Sequence, residues 1–100
     1  LLVGQPSHEA IREVASLAGM VHFKDFARAP EGHEGFAYQA LDGSKFLGTV
    51  IGEGDVDLAA CVAELRAAGF DGWMNVEYEA EEDPFTGVPR SLENAARFIR

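Results

Sequence analysis

At 100 residues, with 47% hydrophobic and 25% charged side chains, the chain is sized for one small domain or a section of a larger one, and disorder is not expected. Its 17 acidic residues against 8 basic ones give a formal net charge of -9, which repels phosphate backbones and sets nucleic acids aside as partners. Cys61 is the single cysteine, so an internal disulfide and a cysteine-built zinc cluster are both excluded.

The amino end, LLVGQPSHEA, starts with Leu and quickly turns polar. It is expected to be a cut or processed end, and nothing in it reads as a signal peptide. No apolar run approaches the ~20 residues that span a bilayer, so a membrane partner is not expected and a cytoplasmic setting is.

In chain order, a helix is predicted over 7–18, with Ser7 as N-cap, Glu9 in the first turn, an apolar stripe of Ile11, Val14, Ala15 and Ala18, and Gly19 as its end. MVHFK at 20–24 reads as a strand. Residues 25–51 read as a long polar loop to about Ala37, followed by a hairpin in YQALDGSKFLGTVI that turns on Asp42-Gly43. GEGDVD is a tight glycine turn that delivers Asp57 as the cap of a second helix, 57–68. Leu58, Cys61, Val62, Leu65 and Ala68 share one face of that helix, and Gly69 closes it. WMNVEY at 73–78 is the second strand. EAEEDPFTGVPR reads as a loop, and a last helix is predicted over 91–100 with Leu92, Ala95, Ala96 and Ile99 on one side. Two strands separated by a helix of this length imply parallel pairing through a right-handed crossover.

Strand side chains alternate faces. Val21 and Phe23 fall on one side of the first strand, and Met20, His22 and Lys24 on the other. In the second strand Met74, Val76 and Tyr78 oppose Trp73, Asn75, Glu77 and Glu79. A parallel strand covered by helices on both faces is apolar throughout. A barrel strand meets helices only on its outer face, and its inner face can line a site at the carboxyl end. His22, Lys24, Glu77 and Glu79 stand where such a site would be, and imidazole with carboxylate suits a divalent ion of the Mn, Fe, Co or Zn type. By residue type alone, a hydrogen-bonded core histidine and a solvated glutamate fit these positions equally well.

VHFKD, GEGDVD and AAGFDGWMNVEYE, in this order and spacing, resemble the closing part of the sugar phosphate isomerase/epimerase family. These are xylose isomerase-like (β/α)8 barrels that include ketose 3-epimerases, hydroxypyruvate isomerases and inosose dehydratases. The resemblance runs from about Ile11 to the end. It implies an α/β fold, the C-terminal portion of a TIM barrel, with about strands 7–8 and helices 6–8.

By that resemblance His22 is a metal ligand, and Glu77 is both a metal ligand and a catalytic proton-transfer group. Lys24 and Arg28 contact substrate. The implied cofactor is a divalent metal (Mn, Mg, Co or Zn), the implied partner a small sugar or sugar phosphate, and the implied reaction isomerisation or epimerisation through an enediolate. The family's metal site also uses a glutamate and an aspartate from earlier strands, which these 100 residues do not contain. Asp25 is expected to support the site or the turn, Glu53 to shape its loop, Trp73 and Cys61 to pack, and His33 to lie on the surface.

Three alternatives stay open on the residues. They are an inosose-type dehydratase, a DNA-repair nuclease on the same fold (which the charge and the scattered histidines oppose), and a non-catalytic barrel section or interaction module. Strand edges left unpaired in two strands and three helices imply association, either as a homo-oligomer or with a missing N-terminal part of the barrel.

Overall fold

The computed structural model describes all of residues 1–100 as a mixed α/β chain. Its elements are α1 (Ser7–Val14), β1 (Met20–Phe23), β2 (Asp25–Arg28), β3 (Tyr38–Gln39), β4 (Lys45–Thr49), α2 (Leu58–Ala67), β5 (Trp73–Val76) and α3 (Pro84–Ile99), with a 3-10 turn at Ala15–Leu17. Strands β1 and β5 pair in parallel, His22 opposite Asn75 and Phe23 opposite Val76, with α2 in the crossover between them. Strands β2, β4 and β3 form a separate antiparallel sheet, with β4 in the middle.

The outward faces of β1 and β5 build the core. Phe23 joins Ile51, Leu58, Val62 and Ala95 in one buried cluster, against which Met74, Val76 and Phe98 pack. Helix α2 supplies Leu58, Cys61, Val62 and Leu65 to this side. Its ends are set by local chemistry. The Asp57 carboxylate accepts from Ala60 N at 2.9 Å, and Gly69, at φ +73°, lets Phe70 N reach back to Leu65 O at 3.0 Å.

Several sequence expectations are corrected. The first helix ends at Val14 and tightens into the 3-10 turn; Pro6, whose ring carries no cap hydrogen bond, stands at the N-cap in place of Ser7. Its stripe is largely unburied. Ala15 is buried, Ile11 and Ala18 are partly covered and Val14 is half exposed; an Arg12–Glu64 ion pair of 2.5 Å also links α1 to α2. The strands are also shorter than the 20–24 and 73–78 expected, at 20–23 and 73–76.

The segment read as loop from Asp25 begins with β2, which runs antiparallel to β4 from Asp25↔Thr49 to Arg28↔Phe46. The hairpin turns at Asp42-Gly43, where the Asp42 carboxylate accepts from Ser44 N (2.9 Å) and Ser44 Oγ (2.6 Å) and Gly43 takes φ +85°.

The last helix starts at Pro84, seven residues before the expected 91, and closes at Ile99. Asp83 caps it by accepting from Phe85 N at 2.9 Å, and Pro84 takes the first helical position, where no N–H is needed. Pro89 is accommodated because the carbonyl it leaves without a partner belongs to Phe85, in the solvent-exposed first turn. Tertiary contacts then extend the helix through this proline. Gly87 lies so close under Tyr78 that a Cβ there would overlap the phenol, and the fully buried Ser91 Oγ accepts from Ile51 N at 3.2 Å.

Candidate functional site

The β1–β5 register carries the site. One residue beyond the Phe23↔Val76 pair, Lys24 comes opposite Glu77, and Glu77 N still donates to Phe23 O at 2.9 Å. Alternation then puts His22, Lys24, Glu77 and Glu79 on the face away from the core. Glu77 is the hub. Its Oε2 lies 2.7 Å from His22 Nδ1, and its Oε1 lies 2.8 Å from Lys24 Nζ. Lys24 Nζ also reaches Glu79 Oε2 at 3.5 Å, and Tyr38 Oη donates to Glu79 Oε1 at 3.1 Å. A continuous polar chain therefore runs His22–Glu77–Lys24–Glu79–Tyr38.

The charges in this chain are mutually stabilised. The Lys24 ammonium, and after it the His22 imidazole, hold the Glu77 carboxyl below the ordinary carboxylate value of 4.5. The same bond to Glu77 raises Lys24, and partial burial together with the Glu79 bond raises the Tyr38 phenol. A depressed carboxyl contributes stability above its unfolded pKa and loses it as pH falls through the folded value, so the pairing at Glu77 is complete above about pH 4.5 and dissolves below it. Lys24→Met is accordingly expected to move the Glu77 midpoint up toward 4.5, read from side-chain carboxyl shifts in an NMR titration; an unmoved midpoint would refute the pairing.

The other candidates are placed as follows. Arg28 stands at the far end of β2, its guanidinium 5.5 Å over the Phe46 ring and its backbone N–H on the Asp55 carboxylate (2.8 Å), and it makes no bond to the Glu77 cluster. Asp25 is buried to 2% exposure and is a structural keystone. Its Oδ2 accepts from Gly52 N and Gly54 N (2.9 Å each), and its Oδ1 from Val56 N (3.2 Å) and Phe26 N (2.9 Å). It thereby wraps the GEGDV turn around one carboxylate, and a Cβ at Gly54 would collide with it.

Glu53 pairs with Arg90, which also holds Glu82 at 2.7 Å, so its role is to tie the turn to α3. His33 rests against Phe36 O (3.2 Å) and Glu81 (3.8 Å). Cys61 is buried as expected. Trp73, expected to pack, is 79% exposed, because it starts β5 on the inward face and no segment of these residues covers that face.

Tyr38 was not identified from the sequence. It lies 41 residues from Glu79, and nothing local marks a hairpin tyrosine as part of a site.

The donor types suit a divalent cation as a partial set. His22 and Glu77 face each other with one imidazole nitrogen and one carboxylate, while no group of three or more His, Cys, Asp or Glu side chains in the chain converges as a metal site. An open, mostly apolar groove of about 400 Å³ lies along β1, lined by Val21, His22, Phe23 and Lys24, by Ile11 of α1 and by Leu65 of α2. No helix is long and apolar enough to cross a membrane.

The profile described as xylose isomerase-like TIM barrel matches residues 2–100. Over 86 residues the chain is 37% identical to an inosose dehydratase of Lactiplantibacillus plantarum, a match that covers 80% of this chain and 27% of that protein. The chain thus spans about a quarter of the length of the curated relative it matches. With its parallel β1–α2–β5 unit and a polar inward face at the strands' carboxyl ends, the chain belongs to the xylose isomerase-like TIM-barrel family.

Proposed function

We propose that this chain forms the seventh and eighth strands of a (β/α)8 barrel that moves a proton between neighbouring carbons of a sugar or sugar phosphate, as an isomerase or epimerase acting through an enediolate. The observation that carries this reading is the convergence of His22, Lys24 and Glu77 on one face at the carboxyl ends of two parallel strands. His22 and Glu77 would hold a divalent ion (Mn, Mg, Co or Zn). Such an ion, when bound, polarises the substrate carbonyl and stabilises the enediolate.

The chain's own side chains do the rest. Glu77, kept ionised by its neighbours, takes a proton from the carbon next to the carbonyl. Lys24 donates to a substrate oxygen, and Arg28 would need a rearrangement of the β2 end to join it. The remaining ligands and the second proton-transfer carboxylate are assigned to other strands of the barrel.

A dehydratase is the second reading, favoured by the 37% identity to an inosose dehydratase. The first proton removal is the same, followed by loss of a hydroxyl from the adjacent carbon.

Native mass spectrometry with Mn²⁺, on this chain beside a His22→Ala variant, tests the metal assignment. Uptake in an assembled multimer that the variant loses is the expected result. A metal-free species that is identical with and without His22 would favour the non-catalytic reading. The 100 residues alone are expected to turn over no ketose, and measurable turnover would overturn the assignment of half the site to other strands.

A further inference from the structure

Lys24 stands between two carboxylates that hold it unequally. Its Nζ lies 2.8 Å from Glu77 Oε1 and 3.5 Å from Glu79 Oε2, and it makes no other ion pair. An ammonium on a flexible stem with rotatable donors can shift between two such oxygens without losing contact.

Glu79 is the fixed partner. Its Oε1 accepts from Tyr38 Oη at 3.1 Å, which leaves Oε2 turned to the lysine. The Tyr38 ring is itself held edge to face between Phe26 (5.2 Å, 83°) and Phe36 (5.0 Å, 82°). The backbone is pinned as well: Gly48 of β4 bridges to Ala80, and a Cβ at Gly48 would strike Glu79 O. Glu79 therefore offers Lys24 an acceptor whose place does not depend on Glu77.

Glu77, in contrast, has to let the lysine go. Its Oε1 is occupied by Lys24, which must leave when that carboxylate takes up a cation or a proton. Neutralising Glu77 also removes the charge that draws the ammonium, while the charge on Glu79 stays.

We propose that Glu79, steadied by Tyr38, is a positioning residue that receives Lys24 whenever Glu77 is engaged. This rests on the proton-transfer reading above and deepens it. One ammonium N–H then goes to Glu79 Oε2, and the others are free for a substrate oxygen. Without Glu79 the lysine falls back on Glu77 and blocks it.

The test uses the full chain carrying ¹⁵N-lysine and ¹³C-glutamate, free of metal, and reads NMR couplings across the hydrogen bonds of the Lys24 ammonium. In the unaltered chain the stronger coupling is expected to the Glu77 carboxyl carbon. Glu77→Gln, at a side chain 35% exposed, is expected to move that coupling to Glu79. Adding Tyr38→Phe is expected to weaken it there while the ring packing is kept. A Lys24 ammonium that shows no coupling to Glu79 in Glu77→Gln overturns the proposal.

Mn²⁺ affinity, read in parallel by water-proton relaxation, reports on the parent reading separately. Glu79→Gln is expected to lower it about tenfold, as when a supporting partner of a metal ligand is lost. The same change is expected to cost little once Lys24→Met has removed the ammonium. An equal effect in both backgrounds would make Glu79 a bystander charge and overturn the proposal. If the unaltered chain takes up no Mn²⁺ but the coupling still moves to Glu79, the metal assignment falls and the lysine transfer stands.

Discussion

Asp25→Ala is expected to remove about 3 kcal/mol or more of stability, because it strips the acceptor from four backbone N–H groups at once. Each N–H left without a partner costs about 1 kcal/mol or more, and the carboxylate is nearly inaccessible to the water that would have to replace it. Against a total of roughly 5–15 kcal/mol for a folded domain, that loss raises the unfolded-to-folded ratio by about a hundredfold. Asp25→Asn should recover only part of it, since one amide oxygen can still accept while the NH₂ group faces donors. Urea unfolding followed by circular dichroism measures both variants. A loss below about 1 kcal/mol for Asp25→Ala would mean the GEGDV turn is held by something else.

Glu77→Gln acts on the site and spares the core, because Glu77 sits at the solvent-facing end of β5 with its side chain 35% exposed. Mn²⁺ affinity of the chain should fall by about 100-fold or more, the upper part of the range seen when even a supporting partner of a metal ligand is lost. Lys24→Met should move it the opposite way, since the ammonium 2.8 Å from Glu77 Oε1 competes for that oxygen. Water-proton relaxation of Mn²⁺ titrations reads both. Unchanged affinity in Glu77→Gln would remove Glu77 from the metal assignment, and a fall in Lys24→Met would show that the lysine supports the ion instead of competing with it.

These two residues illustrate how differently parts of the molecule were legible. The polar inward face at Glu77 follows from alternation within two short strands, so its composition can be read from MVHFK and WMNVEYE directly. Asp25 reads only as a polar residue after a strand. Its four N–H donors come partly from a turn 27 to 31 residues away, a closeness no local pattern encodes. Likewise, the residues of β2 lack clear alternation and become a strand because β4 offers an edge to pair with. EAEEDPFTGVPR reads as a loop, yet Ser91 and Asn94, which grips Ile51 O at 2.8 Å, dock the helix firmly enough to carry it through Pro89.

By itself, then, the sequence determined what its local chemistry controls: the α2 helix with its Asp57 and Gly69 ends, the Asp42-Gly43 hairpin, and the division of both strands into an apolar outer and a polar inner face. Only the tertiary structure decided that Lys24 neutralises Glu77, that Tyr38 ties the hairpin sheet to Glu79, that Arg28 turns aside, and that Trp73 stands uncovered. The physical reason is range. Caps, turns and alternation act over two to six residues along the chain, whereas these contacts depend on the parallel register of β1 against β5 and on the packing that sets it.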